Sequence, residues 1–271
     1  VGLLLIGFAF KVALAPFHMW SPDVYQGAPT TITGFLCTAP KVAGFGALLI
    51  LFNNALAGIH YKWQDIFWIL SFLTMTAGNL SALVQHNVKR MLAFSSVSHA
   101  GFLAMGILVL NEVSISAVLF YLFVYSFVNL GTFAIISAAE NEEKGLEFKD
   151  YRGMAVQRPW LSAAMTIFML SLAGFPPTAG FIAKYGLFSA AVSQGYIWLV
   201  VFGVLNTLIS VYYYLRLVVN MYMKKEGGEL TLSHNILAIG LIGLMAIMLI
   251  ILGVTPGYLL EIVAKAASTV S

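Results

Sequence analysis

Three of the 14 lysines and arginines, Lys11, Lys41 and Lys184, stand inside long apolar runs rather than at their ends. Lys41 lies about ten residues from either edge of its run. At ~1.5 Å per helical residue that is about 15 Å from each end, beyond the reach of a side chain that would snorkel to water. Each such charge costs at least about 2.5–3.5 kcal/mol to insert. Together the three cost about 8–10 kcal/mol, comparable with the whole net stability of a domain. A chain that keeps them has partners for them or a use for them. A lysine withdrawn from water loses part of its preference for the charged form, so it can load and release a proton as a nearby charge comes and goes. The expected chemistry is proton translocation. A static ion pair between helices is the competing reading, and the acidic residues weaken it. None of the 11 lies inside an apolar run, and Asp65 and Glu140 only mark run edges.

His99, in Ser95-Ser96-Val97-Ser98-His99, could relay protons or tie two helices together by a hydrogen bond. His18 is open to the same two readings. Tyr125, Asn129, Asn206, Thr207 and Ser210 are read first as packing and hydrogen-bonding residues between helices. His60, His86 and His234 fall in expected connections. No histidine pair has i, i+4 spacing, so no metal site is expected. No residue is assigned to cofactor binding, because the chain has no dinucleotide fingerprint, Walker sequence or zinc-protease motif. The lone Cys37 excludes an intrachain disulfide or a cysteine-ligated cluster within this chain, and reads as a small buried hydrophobe.

The elements that must position these lysines are membrane helices. Sixty per cent of the 271 residues are hydrophobic and 9 per cent are charged, against about 25 per cent charged in a soluble domain. Lipid must cover most of the surface. A net charge of +3 gives no reason to expect nucleic acid as a partner. Eight apolar segments emerge, near 1–20, 31–52, 65–85, 92–110, 113–139, 160–192, 195–223 and 234–257, each near the ~20 residues a crossing needs. The expected fold class is all-α, a polytopic transmembrane bundle forming one domain over residues 1–271. A β-barrel is disfavoured, since its strands are ~10 residues of alternating polarity. Turn signals separate the segments, among them Ser21-Pro22-Asp23, Asn53-Asn54, Gln194-Gly195 and the polar stretches 86–90, 140–159 and 224–233. Two segments carry interior prolines, at Pro16 just after Lys11 and at Pro176-Pro177 just before Lys184, and are expected to be broken. Broken helices commonly line transport sites. Val1 begins inside an apolar run with neither a basic leader nor a cleavage site, as a truncated chain would, so a signal peptide is not expected.

Topology follows from the basic residues. Alternate connections hold Lys89 and Arg90, then Lys144, Lys149, Arg152 and Arg158, then Lys224 and Lys225 with Arg216 beside them. The opposite side has Lys62 and Lys265. The positive-inside rule places the rich side in the cytoplasm and the C-terminus outside.

Three stretches carry a family resemblance. Residues 10–30, FKVALAPFHMWSPDVYQGAPT, resemble a signature of the antiporter-like membrane subunits of respiratory complex I. Residues 87–101, NVKRMLAFSSVSHAG, resemble a second signature, and 174–184, GFPPTAGFIAK, a third. The segment Pro22 to Gly27 is nearer the N-type subunit than its M- and L-type relatives or the Mrp antiporter subunits. The resemblance implies helices 7–14 of a 14-helix subunit of NADH:quinone oxidoreductase. The family's proton-path lysines of helices 7, 8 and 12 then fall on Lys11, Lys41 and Lys184, and its broken helices on those of Pro16 and Pro176-Pro177. It also implies a glutamate partner for Lys11 upstream of Val1. Redox cofactors, flavin and iron–sulfur clusters, are expected in partner subunits and none in this chain. The implied partners are neighbouring membrane subunits of the complex. The implied location is a bacterial inner membrane in preference to a thylakoid membrane, with pumping driven by quinone reduction elsewhere. The alternative is a cation/proton antiporter subunit of the Mrp type.

Overall fold

The computed structural model describes residues 2–140, 146–224 and 236–270, without the side chain of Val270. Lys144, Lys225 and His234 lie outside the described residues. Among those described every regular element is helical, and the one β feature is an isolated bridge between Asn87 and Glu147.

The first expected segment, 1–20, holds one short helix, α1 (Gly2–Val12), and then a break, and a second short helix, α2 (Trp20–Gly27), begins at its end. Between them Ala13 adopts a left-handed φ of +60° and Pro16 offers no N–H. The backbone groups freed at this break are satisfied from outside the helix. Ala15 N–H donates to Thr74 Oγ1 at 2.9 Å, and Trp20 Nε1–H donates to the Phe10 carbonyl at 3.0 Å. The triplet Ser21-Pro22-Asp23, expected as a turn, is instead the start of α2. Pro22 sits in the first turn, where a helix needs no N–H from it, and Asp23 in the same turn faces the positive end of the helix dipole.

Next come α3 (Thr30–Ile50), α4 (Gln64–Leu83), α5 (Val88–Val109) and α6 (Glu112–Ala139). A π-helical stretch, Leu51–Ala55, extends α3 past the expected Asn53-Asn54 boundary. Helix α5 starts at Val88 rather than 92, because the Asn87 side chain caps it by accepting from Arg90 N–H at 3.0 Å. Every residue of α5 except Arg90 is buried. It lies against α4 at glycine faces, since a Cβ on Gly78 would stand 2.5 Å from Ser98 N and one on Gly101 2.6 Å from Met75 N. Close approach at small residues is how helices gain packing in lipid.

A short helix α7 (Met154–Gln157) precedes the second broken pair, α8 (Pro159–Ala173) and α9 (Ala179–Ser193). Gly174 ends α8 at φ +83°, a conformation that glycine adopts without a Cβ penalty. Helices α10 (Ile197–Met223) and α11 (Ile236–Val254) complete the expected eight crossings. Among the described residues six helices are long and apolar enough to span a membrane by length and composition. The two broken pairs make up the rest, their halves being individually too short. A final helix, α12 (Gly257–Val270), lies beyond the expected segments. It packs on α6 and buries Leu259, Val263 and Ala267, spaced at i, i+4 and i+8.

Candidate functional site

Lys184 lies on α9, less than two turns past the break. Its Nζ donates to the Ala173 carbonyl at 3.1 Å, one of the carbonyls left without a helical partner where α8 stops. The side chain is buried, and Nζ stands 5.1 Å from the centroid of the Phe102 ring. Small residues make room for this arrangement. A Cβ on Gly174 would come within 2.9 Å of Lys184 Cδ, and one on Gly180 within 1.8 Å of the Ser171 carbonyl. Gly253 of α11 also closes on the break, where a Cβ would overlap the Pro177 carbonyl.

Lys41 sits near the middle of α3, 2 per cent exposed. Its Nζ donates to the Ser96 carbonyl on α5 and lies 5.7 Å from the Tyr125 ring centroid. Tyr125 OH donates to Ser96 Oγ at 2.8 Å and meets Cys37 Sγ at 3.1 Å. Cys37 is fully buried, as expected, but its thiol belongs to this polar group rather than to plain packing.

His99 lies on α5 less than one turn beyond Ser96 and is held at both ring nitrogens. Tyr121 OH is 2.6 Å from Nδ1 and Tyr214 OH is 3.1 Å from Nε2. Tyr214 OH also contacts Ser95 Oγ. A neutral imidazole donates from one nitrogen and accepts at the other, so one tyrosine accepts from His99 while the other donates to it. A cavity of about 10 Å³ is lined by His99, Tyr121, Tyr125, Ser171 and Lys184 among others. That is close to the smallest space that admits one water. Two buried hydrogen-bonded groups, one of Lys41, Ser96, Tyr125 and Cys37 and one of Ser95, Tyr214, His99 and Tyr121, thus adjoin where the His99 and Tyr125 rings lie 5.4 Å apart between centroids, and with the cavity beside Lys184 they make up a buried polar band.

Lys11 differs from the other two. It occupies the last turn of α1, directly before the break, and its side chain is exposed on the surface of this chain. Its stem passes α3 at Gly44, whose Cβ would touch Val12 Cγ1 and lie 4.0 Å from Lys11 Cγ. Among the described residues no carboxylate forms an ion pair with Lys11, Lys41 or Lys184.

A third buried lysine carries no sequence signal that marks it as a candidate. Lys89, expected in a connection, is 2 per cent exposed at the start of α5. It donates to the Ala28 carbonyl at 2.9 Å and pairs with Glu140 at 3.6 Å, and Thr30 Oγ1 also donates to that carboxylate. The only sequence signal of Tyr121 and Tyr214 is a hydroxyl inside an apolar run, which eight of the twelve tyrosines share, too many to use. His18 is buried in the α1–α2 break, its Nδ1 without a partner among the described residues, and His60 hydrogen-bonds the Leu108 carbonyl at 3.0 Å. Asn206 acts as expected, joining α10 to α4 by accepting from Asn79 Nδ2 at 3.0 Å. Among the described residues no cluster of three or more metal-ligating side chains occurs.

The chain has relatives. The chain is 53% identical over 223 residues to NADH-quinone oxidoreductase subunit N of Trichlorobacter lovleyi, covering 82% of this chain and 46% of that protein. A chain of respiratory complex I from Thermus thermophilus superposes with a TM-score of 0.84 at 34% identity, covering 96% of this chain and 57% of that one. A chain of the Mrp complex from a Dietzia species superposes at 0.88 with 21% identity, covering 99% of this chain and 58% of that one, which shows a shared fold. The chain spans about half the length of the curated relatives it matches. Residues 1–210 match the family described as NADH:quinone oxidoreductase/Mrp antiporter, TM, and the chain belongs to that family of membrane proteins.

Proposed function

We propose that this chain is the proton-conducting part of an N-type subunit of a proton-translocating NADH:quinone oxidoreductase. The observation that supports it most is the buried polar band between Lys41 and Lys184. Every polar group in the band lies on a helix, and among the described residues no carboxylate pairs with either lysine. Such a band is costly to keep in an apolar bundle, and its donors and acceptors can exchange protons along its length.

In this reading a proton leaves Lys41 through Tyr125 and Ser96, crosses His99, and reaches Lys184 by way of the cavity. His99 takes a proton at one nitrogen and releases one from the other, exchanging the roles of Tyr121 and Tyr214. Lys184, held at a broken helix, exchanges with the outer side. Lys11, exposed here, faces residues of the full-length protein that supply its carboxylate partner. Driving force comes from quinone reduction in partner subunits that hold the flavin and iron–sulfur clusters. The basic connections face the cytoplasm of a bacterial inner membrane.

The test is Lys184→Ala in the full-length protein within its native membranes. Proton-to-electron stoichiometry should fall while electron transfer persists at a reduced rate. An unchanged stoichiometry would overturn the reading. The second reading, an Mrp-type antiporter subunit, is kept open by the family description, which covers both kinds of protein. Sodium-sensitive growth on deletion, with no redox subunits co-purifying, would establish it instead.

A further inference from the structure

A second polar cleft lies at the loop-rich end of the bundle, away from the lysine band. It has a volume of about 390 Å³ between the 3-10 turn Phe148–Tyr151, the α4–α5 connection at His86 and the C-terminal turns of α10. Lys149, Arg152, Arg216 and Lys224 line it, against one lining carboxylate among the described residues, Glu147. Nothing in the proton path uses it.

The four cations are not equally engaged. Arg216 is held by the protein. Its Nη1 donates to the Gln85 carbonyl at 3.0 Å, and its guanidinium stacks 4.3 Å over the Phe148 ring. Lys149 pairs with Glu147 at 2.9 Å, which raises its ammonium above the ordinary lysine value and keeps it charged. Arg152 is different, since its Nε is buried and has no hydrogen-bond partner among the described residues. A buried donor without an acceptor is costly, and a guanidinium fork suits a phosphate's paired oxygens.

The wall of the cleft says which phosphate. Tyr212 and Val219 line it and are both exposed, on the same face of α10 as Leu205 and Leu208. From Val219 back to Leu208 is about 16 Å at 1.5 Å per residue, close to one leaflet of a ~30 Å hydrocarbon core. A basic cleft thus opens onto an apolar stripe of acyl-chain length. A free phosphate would need the first and have no use for the second.

We propose that this cleft is a binding site for an anionic phospholipid, with its phosphate against Arg152 and the neighbouring Lys149 and Lys224, and its acyl chains along Leu205, Leu208 and Tyr212. The net positive lining selects an anionic headgroup over a zwitterionic one, as basic pockets between membrane helices do.

The full-length protein, delipidated in detergent, would be titrated with dioleoyl-phosphatidylglycerol and separately with dioleoyl-phosphatidylcholine, and bound lipid counted by native mass spectrometry. One phosphatidylglycerol should be retained in preference to phosphatidylcholine. Lys149→Gln with Arg152→Gln should weaken that retention about thirty-fold, and Arg152→Lys should restore part of it. Lys149→Gln with Lys224→Gln, both exposed, keeps the test open where loss of Arg152 impairs folding. Lys265→Gln, on another element, should change nothing. Equal retention of the two lipids, or of phosphatidylglycerol by wild type and the double variant, overturns the proposal. So does complete displacement by millimolar inorganic phosphate, which would mark a free-anion site.

Discussion

The Lys184 ammonium and the Ala173 carbonyl lie 3.1 Å apart across the α8–α9 break, so the side chain closes a hydrogen bond that the interrupted backbone leaves open. The break is therefore both a seat for the lysine and a partner to it. Gly174 stands at the contact with φ +83°, and a Cβ there would press on Lys184 Cδ. Gly174→Ala should cost about 1–2 kcal/mol from the left-handed backbone alone and displace the ammonium. Thermal unfolding of the purified protein should show a lowered midpoint, and proton translocation should fall further than that loss of stability explains.

Lys41 separates function from stability in the opposite direction. Its acceptor, the Ser96 carbonyl, lies within helix α5, and no carboxylate pairs with it among the described residues. Replacing a buried charge by an apolar side chain of similar length removes a desolvation cost of at least about 2.5 kcal/mol. Lys41→Met should unfold at an equal or higher temperature than wild type and yet lose proton translocation. A variant that is both less stable and still active would show Lys41 to be a structural tie.

The Lys89–Glu140 pair is structural by the same logic, because here both charges are present. Glu140→Gln leaves an ammonium that is 2 per cent exposed without its counter-charge. Removing one partner of a fully buried pair costs about 3–5 kcal/mol, and the 27 per cent exposure of Glu140 brings this to about 1–3 kcal/mol. Adding Lys89→Met should recover much of the loss. A double-mutant cycle on thermal midpoints measures the coupling.

At the α4–α5 crossing, Gly101→Val would force a side chain to within 2.6 Å of the Met75 backbone nitrogen. No rotamer relieves a clash at Cβ, so the helices must separate and carry Ser96 and His99 with them. The expected outcome is failure to accumulate in membranes, read by quantitative immunoblot. Asn206→Leu, which breaks the side-chain ties to Asn79 and Thr76 without a steric clash, should cost about 0.6–1.7 kcal/mol and leave expression intact.

His99→Gln tests the relay itself. Glutamine can bond both Tyr121 and Tyr214 but cannot take up a proton at one atom and release it at another. Stability within about 1 kcal/mol of wild type together with lost translocation supports a relay, and retained translocation makes His99 a tie between helices.

The sequence by itself determined the solvent and the scaffold. Sixty per cent apolar residues with few charges leave only lipid to cover the surface, and run length then dictates about eight crossings. Pro16 and Pro176-Pro177 marked both breaks because a proline's missing N–H is a local property. Local chemistry also misled, since Ser21-Pro22-Asp23 reads as a turn but begins a helix, and the mixed sequence of α12 is too short and polar to announce a crossing. Tertiary structure alone decided which polar groups meet. Lys11 and Lys41 look alike in sequence, yet one is exposed on this chain and the other buried, while Lys89 looks like a loop charge and is buried. Burial is set by how α3, α5 and α6 pack. Tyr121, Tyr125 and Tyr214 join His99 and Ser96 because α5 is enclosed on every side, and no spacing along one helix records which neighbours enclose it.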